Sequence, residues 1–105
     1  MNNVGVIIPT YNEEENIGKL VESIKSCVPN SEIFVVDDSS NDLTKKILEN
    51  KSFVNFFHRG QKLGRGTAVI FALNKALKKK SIDIFIEMDA DFSHNPNEKK
   101  EKIEN

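Results

Sequence analysis

The chain has 105 residues, a length that allows one small domain. Charged residues make up 30% of the sequence and the formal net charge is -1, so there is no overall basic surface to indicate a nucleic-acid partner. Cys27 is the single cysteine, which excludes an internal disulfide framework and predicts a cytoplasmic protein, with a peripheral position at the cytoplasmic face of a membrane left open.

The first half of the chain alternates apolar runs with amphipathic segments. Residues 4–8 form a β-branched run that is followed by a proline and predicts a buried parallel strand. Asn12 is a candidate cap for a first helix, which residues 29–31 should end. Residues 32–36 predict a second strand, and a second helix is expected to start within residues 39–42.

The second half of the chain continues the alternation. Residues 53–57 predict a third strand, residues 66–79 a third helix, and residues 82–88 a fourth, buried strand. The inward faces of the three helices are expected to consist of Ile17, Leu20, Val21 and Ile24, then Leu43, Ile47 and Leu48, then Val69, Ile70, Leu73 and Leu77. This order predicts an α/β domain with a parallel sheet and helices on both faces. Residues 1–96 carry the pattern, and residues 97–105 are expected to form a polar tail.

Polar residues collect where each predicted strand ends. The four segments are PTYNEEEN at 9–16, DDSSND at 37–42, HRGQKLGRG at 58–66 and DADFSHNP at 89–96. Because an open parallel sheet binds ligands beyond the carboxyl ends of its strands, we expect these segments to form one site along that edge. Taken singly, each also fits a turn or a helix cap, as Asp37 and Asp38 illustrate. His58 and His94 have no partner at metal-ligand spacing.

The pair Asp89 and Asp91, separated by Ala90, is the most specific of these features. Alternation along an extended chain sends both carboxylates to the same side. Like charges placed that close raise each other's pKa unless a cation bridges them. Mg²⁺ or Mn²⁺ suits such oxygen ligands, and these ions are often shared between carboxylates and substrate phosphates. The spacing therefore predicts a divalent ion and a diphosphate at this position.

Four segments together resemble the family 2 glycosyltransferases in order and spacing. They are VIIPTYNEEENI, IFVVDDSSNDLT, GQKLGRGTA and IEMDADFSHNP, within residues 4–96. The subgroup that the sequence resembles best is the dolichol-phosphate or polyprenol-phosphate mannosyltransferases. The resemblance implies the GT-A fold, a Rossmann-like nucleotide-diphospho-sugar transferase domain that also binds a divalent metal. It further implies that residues 1–96 are the nucleotide-sugar-binding half of such a domain.

The resemblance also implies which residues bind the nucleotide-sugar. These are Pro9, Thr10, Tyr11, Glu13, Val36, Asp37, Asp38, Lys62, Asp89, Ala90 and Asp91. Within this set, Glu13 is expected to accept a hydrogen bond from a ribose hydroxyl. Asp38 is expected to hold the base, with Asp37 beside it. These roles agree with the chemistry, since hydroxyl groups and base N–H groups need acceptors.

The catalytic residues that the resemblance implies are Asp89, Asp91 and Lys62. The two aspartates are expected to bind the metal, Mg²⁺ or Mn²⁺, while Lys62 contacts the diphosphate with assistance from Arg65. A divalent ion would stabilise the charge that grows on the leaving diphosphate. Lys62 would add a second positive contact to the same group.

The reaction implied by the family is inverting transfer of a hexose, with mannose from GDP-mannose favoured, to a polyprenyl or dolichyl phosphate. Family members usually continue beyond the DxD pair with parts that complete the acceptor site. We therefore expect a fragment, a half that joins a complementary C-terminal half, or a nucleotide-binding chain without transfer activity. The free edge of a sheet that ends at its fourth strand also favours self-association.

Two other classes of protein place acids at strand ends. A sugar nucleotidyltransferase would carry a glycine- and arginine-rich first loop, which PTYNEEEN does not resemble, although this class stays an alternative. A receiver-type phosphoacceptor domain would carry paired acids after its first strand and a single aspartate after its third. Here the acid pair follows the second predicted strand, and the third ends in His58 and Arg59.

Overall fold

The computed structural model describes residues 3–79 and 81–90 of the chain. Seven helices and strands alternate within these residues, in the predicted order. They are β1 (Val4–Thr10), α1 (Ile17–Cys27), β2 (Glu32–Asp37), α2 (Thr44–Glu49), β3 (Val54–His58), α3 (Arg65–Ala76) and β4 (Ile84–Glu87). The four strands form one parallel sheet in the order β3-β2-β1-β4, which confirms the predicted α/β class.

Helices cover both faces of the sheet, as predicted. On one face, α1 and α2 pack over the side chains of the central strands, among them Val6, Ile8 and Val35. On the other face, α3 packs over Ile7 and Phe34, which neighbour these residues along the chain. Successive side chains of a strand point to opposite faces, and a strand covered on both faces is apolar throughout. This explains the unbroken apolar runs in β1 and β2.

The inward face of α3 differs from the prediction. The residues at 0% exposure are Ala68, Ala72 and Ala76, whereas Ile70 and Leu77 are 61% and 57% exposed. The three alanines are spaced four residues apart and form one ridge, which lets the helix backbone approach the large side chains of the sheet. Of the predicted inward residues, Val69 and Leu73 pack against this cluster, whereas Ile70 and Leu77 do not. The helical period was predicted correctly, but the centre of the inner face was not, because bulk on the sheet side requires small residues on the helix.

The prediction that the fourth strand is buried is also wrong. β4 pairs with β1 at the edge of the sheet, and its residues Ile84 and Ile86 are 43% and 45% exposed. Phe85, on the opposite face, packs against the α3 cluster. In the part of the chain that the structure describes, no second strand pairs with β4. None of the helices in the described residues is long and apolar enough to cross a membrane.

Candidate functional site

A pocket of about 370 Å³ lies at the carboxyl ends of β1 and β4. The chain runs from β1 to β2 and β3 on one side of the sheet and then returns to β4 on the other side of β1. Ligands of open parallel sheets bind at such a reversal of strand order. The residues that line the pocket are Pro9, Thr10, Tyr11, Glu13, Asp38, Lys62, Arg65, Ala68, Asp89 and Ala90.

The pocket brings together most of the residues that the sequence assigned to the nucleotide-sugar site. Val36 and Asp37 do not line it, and both are completely buried. Val36 packs against the α3 cluster, and Asp37 lies among the ends of the strands. Asp91 lies outside the described residues. Ala68, which the sequence did not single out, adds a small side chain to the wall.

Asp37 joins the carboxyl ends of three strands. Thr10 Oγ1 donates a hydrogen bond of 3.0 Å to its Oδ1, and His58 Nδ1 lies 2.7 Å from its Oδ2. Ser40 donates to the same carboxylate from its backbone N–H, at 3.1 Å, and from its hydroxyl group. A buried carboxylate is stable only when its oxygens are hydrogen-bonded or paired. Asp37 therefore supports the pocket through Thr10, which lines it, and does not line the pocket itself.

Two loops beside the pocket are held together by side-chain contacts with backbone groups. Asn12 adopts a left-handed conformation with φ of 52°, so it is not the cap of α1, which is preceded by Asn16. The backbone N–H of Asn12 donates to Ser40 Oγ at 2.7 Å, and its side-chain oxygen accepts from the N–H of Asn41 at 3.0 Å. The N–H of Glu13 donates to Thr44 Oγ1 at 3.0 Å. These contacts place Tyr11 and Glu13 at the pocket.

Asp38 anchors the loop that follows β3. Its carboxylate accepts hydrogen bonds from the backbone N–H groups of Leu63 and Gly64, at 2.8 and 2.9 Å, and from Arg59 Nη2 at 2.8 Å. Burial alone would raise the pKa of Asp38, but the two N–H groups and the Arg59 guanidinium outweigh burial and hold this pKa below its ordinary value. Asp38 thus lies at the pocket as a carboxylate and also carries Lys62 into position.

Stability should depend on Asp38 at acidic pH. Because folding lowers the pKa of this carboxyl below its ordinary value of 3.8, ionised Asp38 stabilises the folded state fully above that value, and the contribution is lost as the pH falls through the folded-state pKa. We expect the difference in unfolding temperature between the wild type and Asp38→Asn to shrink as the pH falls below 3.8. Thermal unfolding followed by circular dichroism measures this difference. A constant difference would contradict the assignment.

Two cations line the pocket, and each faces a protein group. Lys62 Nζ lies 3.9 Å from the centroid of the Tyr11 ring. Arg65 Nη2 donates to Glu87 Oε2 at 2.8 Å and to Asp89 Oδ1 at 2.6 Å, while its Nε donates to Asp89 Oδ1 at 3.0 Å. The hydrogen bonds to Glu87 and Asp89 raise the pKa of Arg65 above its ordinary value. An anion that binds Lys62 and Arg65 more tightly than these protein groups do can displace them when it enters the pocket.

Glu87 is a residue of this site that the sequence analysis missed. It is the last residue of β4 and precedes Asp89 by two positions, the spacing that the sequence also has between Asp89 and Asp91, and the side chains of Glu87 and Asp89 meet at Arg65. Extending the pattern one step towards the N-terminus would have found it. Ser40 and Thr44 were also missed, since their contacts join segments that are about 30 residues apart.

The carboxylates at the end of β4 fit a divalent cation. Glu87 Oε2 and Asp89 Oδ1 both contact the same nitrogen atom of Arg65, so a single positive centre can lie between them. Carboxylate oxygens are the ligands that Mg²⁺ and Mn²⁺ prefer. Within the described residues, no group of three or more acids, histidines or cysteines converges on one point, so the protein ligands there do not form a closed cage.

The chain matches the family described as Glycosyl transferase family 2 over residues 5–104. It is 38% identical over 98 residues to polyprenol monophosphomannose synthase of Mycolicibacterium smegmatis. This match covers 89% of this chain and 37% of that protein. It is 42% identical over 98 residues to dolichol-phosphate mannosyltransferase of Pyrococcus furiosus, which covers 89% of this chain and 27% of that protein.

A solved structure with a similar fold is the mannosyltransferase PcManGT from Pyrobaculum calidifontis in complex with GDP-Man and Mn²⁺. The TM-score is 0.63 at 29% identity, over 84% of this chain and 27% of that chain. The present chain therefore spans about a third of the length of the curated relatives that it matches. The expected Rossmann-like GT-A fold and the family resemblance are both confirmed, and the chain belongs to glycosyl transferase family 2.

Proposed function

We propose that this chain carries the donor and metal site of a glycosyltransferase that moves a hexose from a nucleotide-sugar to a polyprenyl phosphate. The observation that carries the proposal is the pocket at the reversal of strand order, which combines an aromatic ring, carboxylates and two cations. GDP-mannose is the favoured donor, since two relatives are named for mannosyl transfer and a similar structure contains GDP-Man. The lipid acceptor suggests a peripheral position at the cytoplasmic face of a membrane.

The nucleoside would lie against the end of β1. Tyr11 is 39% exposed and offers a ring face against which a base or ribose can pack. Glu13 would accept a hydrogen bond from a ribose hydroxyl, and its loop is already fixed by the bond from its N–H group to Thr44. Asp38 would accept from a base N–H group. Its contacts with Leu63 and Gly64 keep the carboxylate ionised and hold it at the pocket.

The diphosphate would lie between Lys62, Arg65 and Asp89. Phosphate oxygens bind ammonium and guanidinium groups more strongly than an exposed aromatic ring or a half-exposed carboxylate does. A Mg²⁺ or Mn²⁺ ion held by Asp89, together with Asp91 beyond the described residues, would stabilise the charge that develops on the leaving diphosphate. Lys62 would neutralise part of the same charge and orient the leaving group.

The acceptor would need no general base from this chain. The second pKa of a phosphate monoester is about 6, so the acceptor oxygen is ionised near pH 7. That oxygen would form a bond to the anomeric carbon while the bond from this carbon to the diphosphate oxygen breaks, and GDP would leave with the electron pair. The reaction therefore depends on positioning and on charge stabilisation. Positioning alone can lower the activation barrier by about 7–11 kcal/mol.

The proposal is tested by titrating the chain with GDP and with UDP in a calorimeter, with and without Mn²⁺. We expect binding that requires the metal and is tighter for GDP, because the diphosphate should bridge the ion and the pocket cations. Equal heats without Mn²⁺ would contradict the metal site. Tighter binding of UDP would contradict the preference for GDP-mannose but not the donor site itself.

A second candidate function is nucleotide binding without transfer. It is favoured by the lining of the pocket, whose charged residues are all assigned to the nucleoside, the diphosphate or the metal. In this case GDP would bind with Mn²⁺, but GDP-mannose would not be consumed when a polyprenyl phosphate in membranes is supplied. Consumption of GDP-mannose under these conditions would instead favour the transferase. A complementary polypeptide that restores transfer would indicate a split enzyme.

A further inference from the structure

Arg65 holds the position between the two carboxylates at the end of β4. Its guanidinium contacts Asp89 twice, at 2.6 and 3.0 Å, and Glu87 once, at 2.8 Å. The side chains of all three residues are roughly half exposed, with exposed fractions of 52% for Arg65, 55% for Asp89 and 43% for Glu87. The bridge is therefore not locked by packing, and water or a ligand can reach each partner.

The contact between Arg65 and Asp89 uses the carboxylate that is assigned to the metal. Two carboxylates this close to one point repel each other unless a cation lies between them. In the structure, Arg65 supplies that cation. A divalent ion bound to Asp89 Oδ1 with the guanidinium still in place would bring two positive centres within a few ångströms of each other. The two cations are therefore competitors for the same oxygen.

We propose that Arg65 is a placeholder cation, which holds Asp89 in the nucleotide-free protein and transfers to the donor's diphosphate when a divalent ion binds Asp89. This inference rests on the proposed function and adds the means by which binding of the metal and of the nucleotide are coupled. The exchange costs little, because loss of an exposed ion pair changes an equilibrium constant only by about a fewfold. A diphosphate offers the guanidinium paired oxygens in the geometry that arginine binds best.

The other two cations in and near the pocket are not placed for this exchange. Arg59 is buried and bound to Asp38, and Lys62 lies over the Tyr11 ring. Arg65, by contrast, begins α3 and lines the pocket beside Asp89, so a change of side-chain rotamer can redirect its guanidinium while the helix stays fixed. The alternative is that Arg65 only tethers α3 to β4, in which case it should stay on Asp89 in every liganded state.

The first test measures Mn²⁺ binding to the nucleotide-free protein, by the electron paramagnetic resonance signal of free Mn²⁺, for the wild type and for Arg65→Met. The expected result is that the variant binds Mn²⁺ alone about three- to tenfold more tightly, since a competing positive charge has been removed. With Mn²⁺ present, we expect the variant to bind GDP about three- to tenfold more weakly, since it has lost a diphosphate contact. Lys79→Met is the matched control, because Lys79 is an exposed cation bound to Glu32 away from the pocket, and it should change neither value.

The second test needs no variant. The chain has two arginines, Arg59 and Arg65, so its arginine Nε–H signals in a ¹⁵N-labelled sample form a small and assignable set. We expect the Arg65 signal to shift when Mg²⁺ and GDP are added together, as the contact with Asp89 is replaced by one with phosphate. The Arg59 signal reports separately on Asp38, to which Arg59 Nη2 donates, so a shift of the Arg59 signal alone would indicate nucleotide binding without the exchange. An unshifted Arg65 signal with GDP bound would overturn the exchange.

The outcomes separate the two proposals. If the wild type binds neither GDP nor UDP at any Mn²⁺ concentration, the proposed function is overturned and the exchange with it. If the wild type binds GDP in a metal-dependent manner but Arg65→Met binds Mn²⁺ alone no more tightly, the exchange alone is overturned. A tighter Mn²⁺ site together with weaker GDP binding in this variant supports both.

Discussion

Replacing Asp37 with alanine should lower the free energy of unfolding by about 2–4 kcal/mol, because the loss leaves several buried or half-buried polar groups without a partner. The groups that would lose their acceptor are Thr10 Oγ1, the N–H and hydroxyl of Ser40, and His58 Nδ1. Single domains of this size are stable by about 5–15 kcal/mol, so the loss is a large fraction of the total. Urea denaturation of the variant and the wild type measures the change.

Two further variants make this prediction specific. Ser40→Ala removes a hydroxyl group that donates to Asp37 and accepts from the N–H of Asn12, and it should cost about 1–3 kcal/mol for these two hydrogen bonds. Asp83→Ala removes an exposed aspartate that accepts from the N–H of Asn3 near the start of β4, and we expect a change within about 0.5 kcal/mol. If Asp37→Ala costs no more than Asp83→Ala, the buried carboxylate does not stabilise the strand ends that it joins.

The Asp37 network also shows why the site could be located from the sequence but not built from it. The position of each polar segment follows from strand order, since every segment directly follows a strand and all four strands are parallel. Whether a side chain such as Asp37 faces the pocket or the interior depends on which partners other segments supply. Thr10 and His58 come from two other strands, and no local pattern predicts that they meet.

The helices follow the same division between what is local and what is tertiary. The periodicity of α1 is visible in its sequence because large apolar residues form its inner face, and the predicted Ile17, Leu20, Val21 and Ile24 are all buried. In α3 the fully buried residues are alanines, Val69 and Leu73 pack beside them, and the larger Ile70 is exposed. Hydrophobicity alone ranks isoleucine above alanine, so the correct phase requires knowing that the sheet already supplies Phe34 and Ile7 to the interface.

Asn12 illustrates a third kind of limit. Asparagine before a helical segment is a typical cap, but the same residue also tolerates the left-handed conformation that it adopts here. The choice is decided by Ser40 and Asn41 of the loop after β2, which bind the backbone N–H and the side-chain oxygen of Asn12. The consequence is functional, since this turn keeps Tyr11 at the pocket wall and directs the chain into Glu13.

The placement of charge around the pocket connects the fold to the proposed chemistry. The hydrogen bond between Asp38 and Arg59 is buried. The contacts of Asp89 with Arg65 and of Lys62 with the Tyr11 ring are, by contrast, ones that a ligand can replace. A binding site needs both kinds of group, because fixed groups preserve the shape of the pocket and replaceable ones provide affinity. The exposed contacts of Asp89 are therefore the ones whose loss should change ligand binding without changing stability.

Asp89→Asn is accordingly expected to abolish the dependence of GDP binding on Mn²⁺, with an affinity for Mn²⁺ lowered on the order of 100-fold. The amide keeps the size of the side chain but is neutral, and its NH₂ group cannot bind a cation. Since Asp89 is 55% exposed and its ion pair with Arg65 lies at the surface, the unfolding temperature should stay close to that of the wild type.

Asp83→Asn is the matched control, since Asp83 lies just before β4 while Asp89 lies just beyond its other end, and both are exposed. We expect this variant to bind GDP and Mn²⁺ as the wild type does, because its carboxylate contacts Asn3 rather than the pocket. Calorimetric titration of the three proteins with GDP, each with and without Mn²⁺, distinguishes a ligand to the metal from a diffuse effect of charge. Should both variants weaken metal-dependent binding equally, the negative charge of the β4 edge would be responsible, and Asp89 would lose its assignment as a metal ligand.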